Sequence, residues 1–97
     1  MGKEIILIVE DNEVLREGLH MLIEAEGFKV ISAQHGLDAL NQMKETCPNL
    51  ILSDISMPEM DGFEFYEAIR REPEWVTIPF VFLTAKGDRG MFLRAKN

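Results

Sequence analysis

Glu10 and Asp11 stand directly after the apolar run Ile5 to Val9, Asp54 follows Leu50 to Ser53, and Thr84 closes the run that starts at Phe80. If each run is a strand of one parallel sheet, the crevice beyond the carboxyl ends of the strands collects three acids and a hydroxyl. Carboxylates gathered in this way repel one another and raise their own pKa values unless a cation neutralises them. An all-oxygen donor set suits Mg²⁺, with Mn²⁺ as the alternative, and does not suit zinc. The pattern therefore predicts a divalent-cation site built from Glu10, Asp11 and Asp54. Taken singly, each acid reads as a solvated loop residue. Their placement at two strand ends, with a hydroxyl at a third, carries the expectation.

The segment after Asp54 supports it. Pro58 prevents the strand from running on, and Gly62 allows a tight turn into the following helix. An aspartate at the head of such a loop is exposed enough to meet a reactive phosphorus. Asp61 has a plainer use as a helix cap.

Positioning these groups requires strands that alternate with helices, and the apolar periodicity has that form. Ile5 to Val9 is a continuous apolar run, as expected for a strand covered on both faces. Leu15, Leu19, Leu22 and Ile23 recur at helical spacing, and Gly27 is placed to stop that helix. Lys29 to Ala33 reads as a second strand. Leu37, Ala39, Leu40 and Met43 mark a second helix that ends before Pro48. Leu50 to Ser53 is a third strand. Phe63, Tyr66 and Ile69 mark a third helix, broken by Pro73, and Phe80 to Thr84 is a fourth strand. A last helix is expected from Asp88, with Met91, Phe92 and Ala95 on one side. Such alternation predicts a parallel sheet made of right-handed crossover units.

The bulk numbers exclude several function classes. At 97 residues the chain makes one domain, residues 1–97. No apolar run nears the roughly 20 residues that span a bilayer, and Ile5 to Val9 is too short for a secretory signal, so a cytoplasmic location and no membrane contact are expected. A net charge of −7 leaves no basic surface for a phosphate backbone, which argues against direct nucleic-acid binding. Cys47 is the sole cysteine and cannot form an internal disulfide, while His20 and His35 lack metal-site spacing.

Glu10-Asp11, Asp54 with Met57-Pro58 and Asp61-Gly62, and Ile78-Pro79 before Phe80 to Thr84-Ala85 together resemble the receiver domains of bacterial two-component response regulators, over about Ile5 to Lys86. The resemblance implies a flavodoxin-like, doubly wound parallel sheet of order 2-1-3-4-5. It implies that Asp54 is the phosphoacceptor, taking a phosphoryl group from a phosphohistidine on a sensor histidine kinase or phosphotransfer protein. It further implies that Asp11, Asp54 and the Ser56 main-chain carbonyl ligate Mg²⁺ directly, that Glu10 holds the ion through water, and that Thr84 is the switch hydroxyl. Ser56 and Lys86 match the positions that tune the lifetime of the acyl phosphate. The domain would assist its own modification and is not otherwise an enzyme.

The family's fifth strand, with its invariant lysine, and its fifth helix are absent from this chain, so the receiver is expected to be incomplete at its C-terminus. Lys86 does not match that lysine. Phe80 to Thr84 then becomes an apolar sheet edge, which predicts a homodimer or swapped dimer through it. Two other functions compete. One is a receiver-like interaction module that is not phosphorylated, favoured by the missing lysine and opposed by intact Glu10, Asp11, Asp54 and Thr84. The other is a Mg²⁺-dependent phosphohydrolase working through an aspartyl phosphate. Such enzymes carry a D-x-D pair after the first strand, whereas Glu13 occupies the second position beyond Asp11.

Overall fold

Ile5–Val9 forms β1, and its five residues divide between two faces. Leu7 and Val9 enter one hydrophobic cluster, and Ile6 and Ile8 enter another. That is why the run is apolar throughout. Leu7, Ile8 and Val9 are fully buried, each worth about 1.5–3 kcal/mol relative to an exposed position. The computed structural model describes residues 3–55, 57, 59–85 and 91–96, with side chains described as far as Leu83.

The element order is β1, α1 (Glu13–Ala25), β2 (Lys29–Ala33), α2 (Gly36–Met43), β3 (Leu50–Asp54), α3 (Gly62–Arg71), β4 (Phe80–Ala85) and β5 (Met91–Lys96). Each helix opens on a side-chain cap: Asn12 for α1, His35 for α2 and Asp61 for α3. Asp61 and Glu64 form a reciprocal capping box, as the capping expectation for Asp61 requires. Gly27, at φ 103°, turns the chain out of α1.

The sheet has the order β2-β1-β3-β4-β5. Its first four strands are parallel, in the flavodoxin-like order 2-1-3-4. α2 and α3 cover one face through Ala39, Met43, Phe65 and Ile69, against Ile51, Phe80 and Phe82. α1 covers the other through Leu19 and Ile23, against Ile6, Ile8 and Val30.

Four expectations need correction. Met91–Lys96, placed in a helix from Asp88, is a strand antiparallel to β4, pairing from Phe80↔Lys96 to Ala85↔Met91; residues 86–90 lie outside the described residues. A parallel fifth strand is absent among the described residues, as expected, but its place in the sheet is taken. β4 is therefore paired on both sides, and the dimer route through an open Phe80–Thr84 edge loses its physical basis. In α3 the core-facing residues are Phe65 and Ile69, whereas Phe63, assigned to the apolar stripe, is 51% exposed. Leu22 likewise faces outward, at 68% exposure.

Candidate divalent-cation site

β1 and β3 are parallel neighbours in the register Val9↔Ser53. One step further along each strand, Glu10 and Asp54 come side by side, with Asp11 next in the chain. β1 has β2 on one flank and β3 on the other, so the crevice opens where the strand order reverses. There Glu10, Asp11 and Asp54 each offer a carboxylate oxygen, and these atoms lie within 4.8 Å of one another. The three acids named from the sequence are thus brought together, Asp54 as the last residue of β3 instead of the first of the loop.

Their surroundings differ. Glu10 is buried, Asp54 half-buried and Asp11 exposed. Burial pushes the Glu10 carboxyl up to about 7, and the charges of Asp54 and Asp11 push the same way. The Asn12 N–H, 3.1 Å from Glu10 Oε2, offsets part of this by favouring the ionised form. Asp54 Oδ1 accepts from the Ile55 N–H at 2.9 Å. A buried acid held near neutrality beside two others is the arrangement that a divalent cation stabilises, so the donor set fits Mg²⁺.

The loop after Asp54 is gripped tightly. The Gly62 N–H donates to the Ile55 carbonyl at 2.6 Å. A Cβ on Gly62 would run into the Asp54 carbonyl oxygen and lie 2.7 Å from Ile55 Cα. Only glycine permits that approach. Met57 packs into the core beneath the loop.

The remaining expected site residues are located less fully. Thr84 lies on β4 with its backbone opposite Phe92, and its side chain is outside those described. Ser56 and Lys86, expected as carbonyl ligand and tuning positions, lie outside the described residues. The histidines serve structural roles, His35 capping α2 and His20 bonding Ser32 Oγ at 2.8 Å. Cys47 is a free, exposed thiol.

Sequence reasoning overlooked Asn12 and Arg16. Asn12 accepts from the Leu15 N–H at 2.9 Å and donates its own N–H to Glu10. Arg16 Nη1 donates to the Glu10 main-chain carbonyl at 2.8 Å. A cation within the first turn of a helix opposes the macrodipole, and that mismatch was the available signal that Arg16 has a specific partner.

Fold and site together define a doubly wound α/β domain with an acidic, cation-type crevice at its topological switch point. The response regulator receiver domain family matches residues 6–97, and the chain belongs to that family of two-component signalling domains. It is 41% identical over 86 residues to the polar-differentiation response regulator DivK of Brucella anthropi, covering 86% of this chain and 70% of that protein. The structure is similar to the signal receiver domain of a signal transduction histidine kinase from Syntrophus aciditrophicus, with TM-score 0.81 and 36% identity. That match covers 89% of this chain and 65% of the other, so the chain spans just under two thirds of that receiver's length. It is also similar to the chemotaxis response regulator CheY4 of Vibrio cholerae, with TM-score 0.83 and 29% identity, covering 89% of this chain and 72% of that one. No described helix is long and apolar enough to cross a membrane.

Proposed function

We propose that this receiver takes a phosphoryl group onto Asp54 from the phosphohistidine of a sensor histidine kinase or phosphotransfer protein, in the cytoplasm. The observation that carries this is the meeting of Glu10, Asp11 and Asp54 oxygens within 4.8 Å at the β1/β3 crevice. An Asp54 carboxylate oxygen attacks phosphorus in line, the phosphorus–nitrogen bond of the donor breaks, and the electron pair stays on the imidazole. The product is an aspartyl phosphate. Asp11 and Asp54 would hold Mg²⁺ directly, with the Ser56 carbonyl, and Glu10 would hold it through water. When bound, the ion neutralises the charge that gathers on the transferring oxygens.

The half-buried Asp54 is close enough to solvent for a donor to approach, and its bond from the Ile55 N–H fixes one carboxylate oxygen. Thr84, at the end of the neighbouring strand, is the candidate switch hydroxyl. The new charge at Asp54 then biases a two-state equilibrium of the domain. Incubation with Mg²⁺ and acetyl phosphate, followed by intact mass measurement, should show a single phosphoryl adduct that Asp54→Ala abolishes. An equal adduct on Asp54→Ala would assign the acceptor elsewhere.

One observation favours a second function, an interaction module without phosphorylation. The fifth place in the sheet holds an antiparallel strand, so the lysine that the family carries on a parallel fifth strand is not supplied from there. Absence of any adduct on the wild-type chain, with Mg²⁺ binding retained, would favour that function.

A further inference from the structure

We propose that Arg16 is a positioning residue for the cation site, clamping the β1–α1 loop so that Glu10 and Asp11 keep their bearing on Asp54. The inference rests on the Mg²⁺ function proposed above and extends it to a residue outside the acidic cluster.

The loop runs from the end of β1 to the start of α1 in three residues, and polar groups of Glu10 and Asn12 are tied on both sides of Asp11. The Glu10 N–H donates to the Ala33 carbonyl of β2 at 3.0 Å. The Glu10 carbonyl, one atom pair further on, is past the end of the β1 ladder and buried with its residue. Arg16 Nη1 satisfies it at 2.8 Å. The Asn12 N–H holds the Glu10 carboxylate, and the Asn12 side chain starts α1. Arg16 is itself on that helix, and its N–H bonds the Asn12 carbonyl at 2.9 Å. The result is a closed circuit from strand end to helix and back, with both metal-side acids inside it.

Mg²⁺ demands near-ideal octahedral geometry at short distances and tolerates little ligand wander. Groups that orient ligands without touching the ion accordingly change metal affinity by about 10–100-fold when removed. Arg16 makes such a bond to the backbone of the acid it orients, and a bond from a guanidinium is stronger than a neutral one. Arg16 reaches this carbonyl from the fourth residue of α1, and its planar fork loses less freedom per bond than a lysine would.

The helix does not depend on Arg16 for its place. Leu19 and Ile23 pack on Ile6, Ile8 and Val30, and His20 bonds Ser32 of β2 at 2.8 Å. Arg16→Met, which keeps the apolar stem and removes the donors, should therefore fold. Calorimetric titration with Mg²⁺ should show affinity about tenfold weaker than wild type. The Mg²⁺-induced rise in Tm should shrink correspondingly. His20→Gln, which cuts the other tether of α1, should lower Tm with and without Mg²⁺ alike and leave the affinity unchanged. Arg16→Met binding as tightly as wild type overturns the clamp alone. A wild-type chain that takes up no Mg²⁺ overturns the metal site and the clamp with it. Should Arg16→Met fail to fold, the wild-type chain still decides. Its Arg16 Nη resonances should report a hindered guanidinium when Mg²⁺ is saturating, and free rotation there overturns the proposal.

Discussion

Glu10 does opposite things to stability and to binding. Its carboxyl is raised from 4.5 to about 7, first by burial and then by the neighbouring acids. Below the unfolded value both states are protonated and nothing is lost. Between 4.5 and about 7 the native state holds a proton that the unfolded chain has released. The native state therefore binds more protons in that window, and stability falls as pH rises through it. The penalty is complete above the folded value and is on the order of 3 kcal/mol. A cation reverses the preference by favouring the ionised acid, so Mg²⁺ affinity should climb over the same window. Denaturant unfolding of the metal-free chain should give a lower ΔG at about pH 7.5 than at about pH 5, with Glu10→Gln flattening the difference. Equal slopes for wild type and variant would remove Glu10 as the cause.

Two glycines at the second and third helix starts separate a constraint of backbone from one of side chain. At Gly36 an added Cβ would meet the Met60 side chain, Sδ at 2.8 Å, Cγ at 3.0 Å and Cβ at 3.2 Å, and no main-chain atom as near. At Gly62 it would meet the main chain of Asp54 and Ile55. Gly36→Ala should cost less in thermal unfolding than Gly62→Ala, because a side chain can move where a main chain cannot. Gly62→Ala should cost about 1–3 kcal/mol, the range for overpacking, and should depress acyl-phosphate formation, because the strand end carrying Asp54 has to shift. A Gly62→Ala chain with wild-type phosphorylation would show the loop to be more accommodating than its bonds suggest. The Gly62 turn, the Asp61 cap and the first four strands were legible because each has a local cause in residue type and spacing. β5 was not. Over six residues, Met91, Phe92 and Ala95 fit a helical period while Met91, Leu93 and Ala95 fit a strand, and only pairing with β4 decides between them. In α3, Phe63 and Phe65 are equally apolar, and the sheet selects Phe65. Of the site, the acids were readable from strand ends, whereas Arg16 acts on a carbonyl, and only its place near the start of α1, against the macrodipole, pointed to a partner.

At the scale of the whole molecule the sheet is covered unevenly. Among the described residues one face has two helices and the other has α1, and Leu50 and Leu52 stay half-buried. Along the remaining edge β5 stands between solvent and β4, the strand that carries buried Phe80, Phe82 and Leu83. Its pairing spans all six residues of β4. A strand so apolar, with one row of N–H and C=O groups unpaired, is a template for another chain. Removing residues 91–97 should therefore leave a folded chain that associates, with sedimentation velocity showing species that grow with concentration where the intact chain shows fewer. The acids sit at β1 and β3, with β4 between them and the deleted strand, so Mg²⁺ binding by the shortened chain should stay within about twofold of the intact one, since sites without shared partners act independently. A shortened chain that stays monomeric at high concentration, with its far-UV dichroism otherwise kept, would show that β4 protects its own edge. Loss of Mg²⁺ binding together with association would show that the outer strand braces the crevice through β4, a longer reach than the register at Val9 and Ser53 requires.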